Sequence, residues 1–170
     1  MIRAGCLDDA SAMASLYEWH VLNGTSTFEI EPPTAEDMAD RIRSMMAKKS
    51  IFLVAQEGSE LLGYAYATPF RDRPAYQYTC ENSIYLHHEA RGRGLGTALL
   101  GALIDQAQAT GYRQMIAVVG GAEPASIALH TKLGFEQRGT MQSVGRKFGR
   151  WLDTVYMQRS LGSGDESPPP

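Results

Sequence analysis

The chain has 170 residues, a net charge of −3 and two cysteines. That length suits one domain with one core, and the mild negative balance gives no global basic field to hold nucleic acid. Cys6 and Cys80 form neither a metal-ligand spacing nor a disulfide framework, so both read as free thiols of a reducing compartment. The first residues lack the basic-then-apolar pattern of a signal peptide, and no segment reaches the roughly 18 apolar residues of a membrane span. A cytoplasmic protein with no membrane partner is expected.

In chain order, Ile2-Arg3-Ala4 suits a short opening strand. Asp8 and Asp9 are helix starters, and Met13, Leu16, Tyr17 and His20 follow at helical spacing until Asn23-Gly24. Residues 24–33 are polar and proline-rich and read as a loop. Thr34 with Asp37 resembles a capping box, and Met38, Ile42, Met45 and Met46 mark the buried stripe of a second helix. Ile51 to Ala55 is a short apolar run, Glu57-Gly58-Ser59-Glu60 a turn, and Leu61 to Ala67 the partner strand. Pro69 to Pro74 is a loop carrying Arg71 and Arg73. Tyr78 to Leu86 is a further strand, with Glu81, Ser83 and Tyr85 on one face and Cys80, Asn82 and Ile84 on the other.

After Gly96, residues Leu95, Leu99, Leu103 and Ala107 give a helix its apolar stripe, capped at Gly111. Met115 to Val119 is apolar throughout and predicts a central strand covered on both faces. Pro124 opens a short helix that ends at Gly134, and Phe135 begins another strand. Residues 139–150 are glycine-rich and basic, Trp151 to Gln158 is a last strand, and residues 162–170, ending in three prolines, suggest a disordered tail after a single domain of residues 1–161. The order predicts a mixed α/β sheet with helices on its faces.

Arg91-Gly92-Arg93-Gly94-Leu95-Gly96 lies between a strand and a helix. Glycines let the backbone turn sharply and approach a ligand, and N–H groups at a helix N-terminus attract anions. The loop suits a phosphate or pyrophosphate. Its G-x-G-x-G spacing departs from the G-x-G-x-x-G of dinucleotide folds, and Gly96-Thr97 lacks the lysine of a nucleoside-triphosphate loop.

Arg91-x-x-Gly94-x-Gly96 resembles the R/Q-x-x-G-x-G/A motif of the GCN5-related N-acetyltransferases. Thr27-Phe28-Glu29, Gly63 to Ala67, Pro69 to Arg73, Leu129-His130-x-x-Leu133-Gly134-Phe135 and above all Lys147 to Asp153 resemble its phosphinothricin and methionine sulfoximine acetyltransferase branch, over about Ile2 to Leu161. The resemblance implies a mostly antiparallel mixed sheet splayed between its fourth and fifth strands, where the strand around Glu81 parts from the strand at Met115. It implies acetyl-CoA in that gap and no metal. Main chain at Ile84, Tyr85 and Leu86 would hold the pantetheine, and residues 91–97, through Thr97, the pyrophosphate. It also implies a homodimer and direct attack in a ternary complex. One departure stands out: where the family carries Asn, three residues before Ser126 in an N-x-x-S pattern for the cofactor arm, this chain has Glu123, which cannot donate as an amide does.

Amine acetylation needs a base for the ammonium and stabilisation of the leaving thiolate. Glu81 is the candidate base, a lone carboxylate in an otherwise uncharged strand. His130 stands where many relatives carry the tyrosine that protonates sulfur, and imidazole suits that task. Arg71 and Arg73 suit an acceptor carboxylate or phosphinate. Phe28 and Tyr76 are expected to wall the pocket, and Lys147 and Phe148 to reach the neighbouring subunit's site. His87-His88 reads as surface. The expected acceptor is the α-amino group of methionine sulfoximine, methionine sulfone or a phosphinothricin-like analogue. Acetylation of a protein N-terminus or lysine, and a non-catalytic acetyl-CoA sensor, are the competing readings.

Overall fold

The computed structural model describes residues 1–168. A seven-stranded sheet runs through it in the order β1-β2-β3-β4-β5-β7-β6. The strands are β1 (Ile2–Ala4), β2 (Ile51–Glu57), β3 (Glu60–Pro69), β4 (Thr79–Leu86), β5 (Gln114–Gly120), β6 (Glu136–Lys147) and β7 (Arg150–Ser160). The helices are α1 (Ala10–Asn23), α2 (Ala35–Ala47), α3 (Leu95–Ala109) and α4 (Pro124–Lys132). The mixed sheet with helices on both faces agrees with the expectation.

Local chemistry sets the helix ends. Thr34 Oγ1 accepts the Asp37 N–H at 3.1 Å, and Asp37 returns the bond to the Thr34 N–H at 2.8 Å, closing the capping box of α2. Gly134 takes a left-handed φ of 81° after α4, so the Phe135 N–H turns back to the His130 carbonyl at 3.0 Å. Phe148 and Gly149 both have positive φ, 51° and 74°, the primed geometry of a two-residue hairpin joining β6 to β7.

Alternation along β2 explains its unbroken apolar run. Leu53 and Ala55 face one core with Leu99, Leu103, Met115 and Met157, against which Ile127 and Leu129 of α4 pack. Phe52 and Val54 face the other, with Met13 and Tyr17 of α1, Met38 and Ile42 of α2, and Tyr64. Helices α3 and α4 therefore cover one face, and α1 and α2 the other. β5 corrects the expectation of cover on both faces: Met115, Ala117 and Val119 are buried, but Ile116 and Val118 are half-buried.

Residues 162–168 follow β7. They form turns, because the Arg113 guanidinium bonds Ser163 Oγ and, at 3.0 Å, the Pro168 carbonyl. Pro169 and Pro170 lie outside the described residues.

One feature of the sheet positions the site. Every strand pair is antiparallel except β4 with β5, and that parallel pairing covers only Thr79↔Gln114, Cys80↔Met115, Glu81↔Ile116 and Asn82↔Ala117. Beyond Asn82 and Ala117 the strands part. Glu81 and Met115 themselves lie in the paired stretch, so the splay begins one step later than the resemblance suggested.

The core packing predicts a stability effect. Leu103 is fully buried between α3 and the sheet. Leu103→Ala should cost about 2–5 kcal/mol, read from urea unfolding; a loss under about 1 kcal/mol would contradict this packing.

Candidate active site

Backbone parity on β4 defines the opening. The His87 N–H bonds the Leu62 carbonyl and the Phe70 N–H bonds the Thr79 carbonyl, so odd-numbered residues of β4 direct their main chain to β3. Even-numbered residues direct theirs toward β5. Cys80 and Asn82 meet β5, whereas Ile84 and Leu86 face the gap. Tyr85 is a correction: its peptide groups serve the pairing with Tyr64, so Ile84 and Leu86 alone present main chain there. The Leu86 carbonyl is already engaged by His20 Nε2 at 2.9 Å. That leaves Leu86 N–H and both groups of Ile84 to pair with an extended amide chain. His20 shows only an apolar-face position on α1 in the sequence, which carries no sign of this bond.

The glycine loop sits at the outer end of the gap. Gly92 and Gly94 have φ of 74° and 79°, which side-chain-bearing residues rarely adopt. Gly94 is the N-cap of α3 and offers no side-chain acceptor, so the first N–H groups of the helix, at Leu95, Gly96 and Thr97, stay available to an anion. Gly96 serves close packing instead: a Cβ there would lie 3.1 Å from the Leu86 side chain and 3.3 Å from that of Leu129. Arg91 stacks over Trp19 at 4.9 Å, and Arg93 pairs with Glu57 at 3.0 Å on the exposed surface. Charge, free N–H groups and close backbone fit a pyrophosphate.

The gap is lined by Ser26, Asn82 to Tyr85, Ala117 to Gly120, Ser126 and His130. His130 is buried, with Nδ1 2.8 Å from the Ser126 carbonyl and Nε2 3.0 Å from Asn82 Oδ1. A carbonyl only accepts, so Nδ1 carries a proton. Burial lowers the pKa of His130, and the Ser126 carbonyl opposes that. Ser126 Oγ is 3.4 Å from the same nitrogen. Glu123 is the N-cap of α4 but makes no side-chain cap bond.

Glu81 points from the other face of β4 and its side chain is one-third exposed, at 32%. Burial raises its pKa, with Arg71 opposing at 3.9 Å. Arg71 is held by the Phe70 carbonyl at 2.7 Å and by the Phe70 ring at 4.1 Å. Tyr76 packs edge-on against the same ring at 5.6 Å. Glu81, Arg71, Phe70 and Tyr76 thus form one cluster, and Arg73 lies exposed in the adjoining loop.

Lys147 corrects the expectation of a side chain reaching another subunit. It is buried, and Nζ donates to the Gly24 and Thr27 carbonyls at 2.9 Å each. The ammonium ties down the 24–28 loop, whose Phe28 ring lies against Gly120 and Gly145. Phe148 stays exposed. Asn82 carried no motif, and neither did the bonds by which Tyr17 and Arg41 meet Glu29, Arg41 gripping it through two bonds of 2.9 Å.

A profile of the acetyltransferase (GNAT) family matches residues 13–135. The chain belongs to that family. It is 45% identical to the phosphinothricin N-acetyltransferase of Alcaligenes faecalis, over 95% of this chain and 83% of that protein. It is 36% identical to the L-methionine sulfoximine/L-methionine sulfone acetyltransferase of Pseudomonas aeruginosa, over 98% of each. The crystal structure of a phosphinothricin acetyltransferase from Sinorhizobium meliloti in complex with AcCoA superposes with a TM-score of 0.97 at 46% identity, covering 100% of this chain and 92% of that one.

Buried His20 predicts an acid-sensitive fold. Burial pushes its pKa from 6.5 down to about 4, so the unfolded chain binds a proton there that the folded chain refuses. Stability present above pH 6.5 is therefore lost as the pH falls toward 4, by up to about 3 kcal/mol. Urea unfolding at pH 7.5 and about 5 should show a smaller loss in His20→Gln than in the wild type; equal losses would contradict it.

Proposed function

We propose that the chain transfers an acetyl group from acetyl-CoA to the α-amino group of a small anionic amino-acid analogue, of the methionine sulfoximine, methionine sulfone or phosphinothricin kind. The observation that carries this is the parting of β4 from β5 between a carboxylate, Glu81, on one face and an imidazole, His130, on the other. Acetyl-CoA supplies the activated acetyl group and a thiolate leaving group. Ile84, Leu86 and the 91–97 loop hold it as the backbone geometry allows. Glu81 attracts the acceptor ammonium and takes its proton, a task suited to a carboxyl whose pKa is raised by burial. His130 gives a proton from Nε2 to the leaving sulfur, and burial makes that proton easy to release. Both reactants sit on the protein together, so transfer is direct.

Arg71 stands beside Glu81, Arg73 follows it on the same exposed loop, and the two select an anionic group. That arrangement favours a small anion over a peptide. Glu123 in place of an amide leaves the cofactor arm one donor fewer, which is the departure most open to a cost in acetyl-CoA affinity. The exposed apolar residues Met141, Val144, Phe148 and Trp151 on the β6–β7 hairpin support a homodimer formed through that end.

Free-thiol release with acetyl-CoA and a panel of amines tests the reading. Methionine sulfoximine or phosphinothricin should be acetylated in preference to peptides, and Glu81→Gln should lower kcat/KM by about 10²–10⁴-fold. No turnover on any of these acceptors would remove the substrate assignment, and an unchanged rate in Glu81→Gln would remove the base.

A further inference from the structure

Asn82 occupies the last paired position before β4 and β5 separate. Its Nδ2 donates to the Ile116 carbonyl on β5 at 3.0 Å, and its Oδ1 faces His130 Nε2 on α4 at 3.0 Å. One buried amide thus joins two strands and a helix at the point where the gap opens.

The two bonds of His130 set a proton requirement. Nδ1 faces the Ser126 carbonyl and Nε2 faces the Asn82 carbonyl, both acceptors. Neutral imidazole carries one N–H, so it leaves one nitrogen lone pair against an oxygen lone pair. Rotating the amide does not help, because Oδ1 would then face the Ile116 carbonyl. Only the imidazolium, with both nitrogens protonated, satisfies every contact.

We propose that Asn82 is a positioning residue: its Oδ1 holds a proton on His130 Nε2, at the inner end of the gap, against the pull of burial toward the neutral ring. The inference rests on the reading of His130 as the donor to sulfur. The titratable groups around the ring do not supply that hold. Glu81 projects from the opposite face of β4 and Cys80 is kept neutral by burial. Lys132 of α4 and Glu136 of β6 are exposed, Glu123 is at the far end of α4, and the Phe135 ring, uncharged, lies edge-on at 4.9 Å. In the reaction, Nε2 gives its proton to the sulfur as the thioester C–S bond breaks and the sulfur keeps the bonding pair. His130 is left as neutral imidazole with Nδ1–H on Ser126, and water returns the proton. The proton lost by the acceptor passes to Glu81 and then to solvent.

The test is nitrogen-15 NMR titration of the His130 ring in the free protein, with turnover measured alongside. Asn82→Leu removes the acceptor at similar volume. It should lower the midpoint of the His130 titration by about 1 pH unit, since a bond to a charged donor is worth that much. It should also lower kcat by about 10-fold while leaving the KM for acetyl-CoA within about 2-fold, the pattern of a lost transition-state interaction rather than a damaged cleft wall. Asn82→Asp keeps an acceptor and adds charge, so it should raise the midpoint, and it decides the matter where Asn82→Leu fails to fold. An unmoved midpoint in whichever variant folds overturns the proposal. His130→Gln separates the two ideas: unchanged turnover there would sink the donor role, while the ring titration would still report whether Asn82 holds the proton.

Discussion

The parallel pairing of β4 with β5 ends at Asn82 and Ala117, and the rest of the site depends on that limit. A parallel ladder continued to Leu86 would have consumed the main-chain groups of Ile84 and Leu86. Because it stops, those groups stand at a gap inside an otherwise continuous sheet. The gap is held open from both ends. Asn82 clasps β4 to β5 and α4 at its closed end. At the other end the 24–28 loop, pinned by Lys147, packs onto Gly120, where a Cβ would meet the Ser26 carbonyl at 3.1 Å. His20 removes the Leu86 carbonyl from competition by bonding it.

The same strand separates the two groups proposed to handle protons. Alternation along β4 sends Glu81 to one face and Asn82 to the other, and Asn82 meets His130. A carboxylate and an imidazole on opposite sides of one strand are kept from pairing with each other. Their environments also differ: Glu81 is partly solvated and beside Arg71, whereas His130 is enclosed by Ser126, Asn82 and Phe135. Burial acts on both, raising the proton affinity of the carboxyl and lowering that of the imidazole. Those directions suit a group that takes a proton and one that gives it.

Much of this was legible in the residues. Thr34 and Asp37 announced a cap, Gly92 and Gly94 a sharp turn of the backbone, and the apolar run Ile51 to Ala55 a strand. These are local signals, set by neighbours in sequence. Lys147 was misjudged because its partners, Gly24 and Thr27, are carbonyls more than a hundred residues away, which side-chain chemistry in the sequence does not reveal. Tyr85 was grouped with Ile84 and Leu86 because the parity of main-chain bonding appears only with the register of β3. Asn82 was placed on the correct face but left without a role, since its partners come from β5 and α4.

Hydrogen exchange at three consecutive amides tests the central claim, that acetyl-CoA lies along β4 where β5 departs. In the free protein Tyr85 should exchange slowly, through its pairing with β3, while Ile84 and Leu86 exchange fast. Acetyl-CoA should slow Ile84 and Leu86 by about 10-fold or more and leave Tyr85 unchanged. Binding of acetyl-CoA with no change at Ile84 and Leu86 would contradict the account.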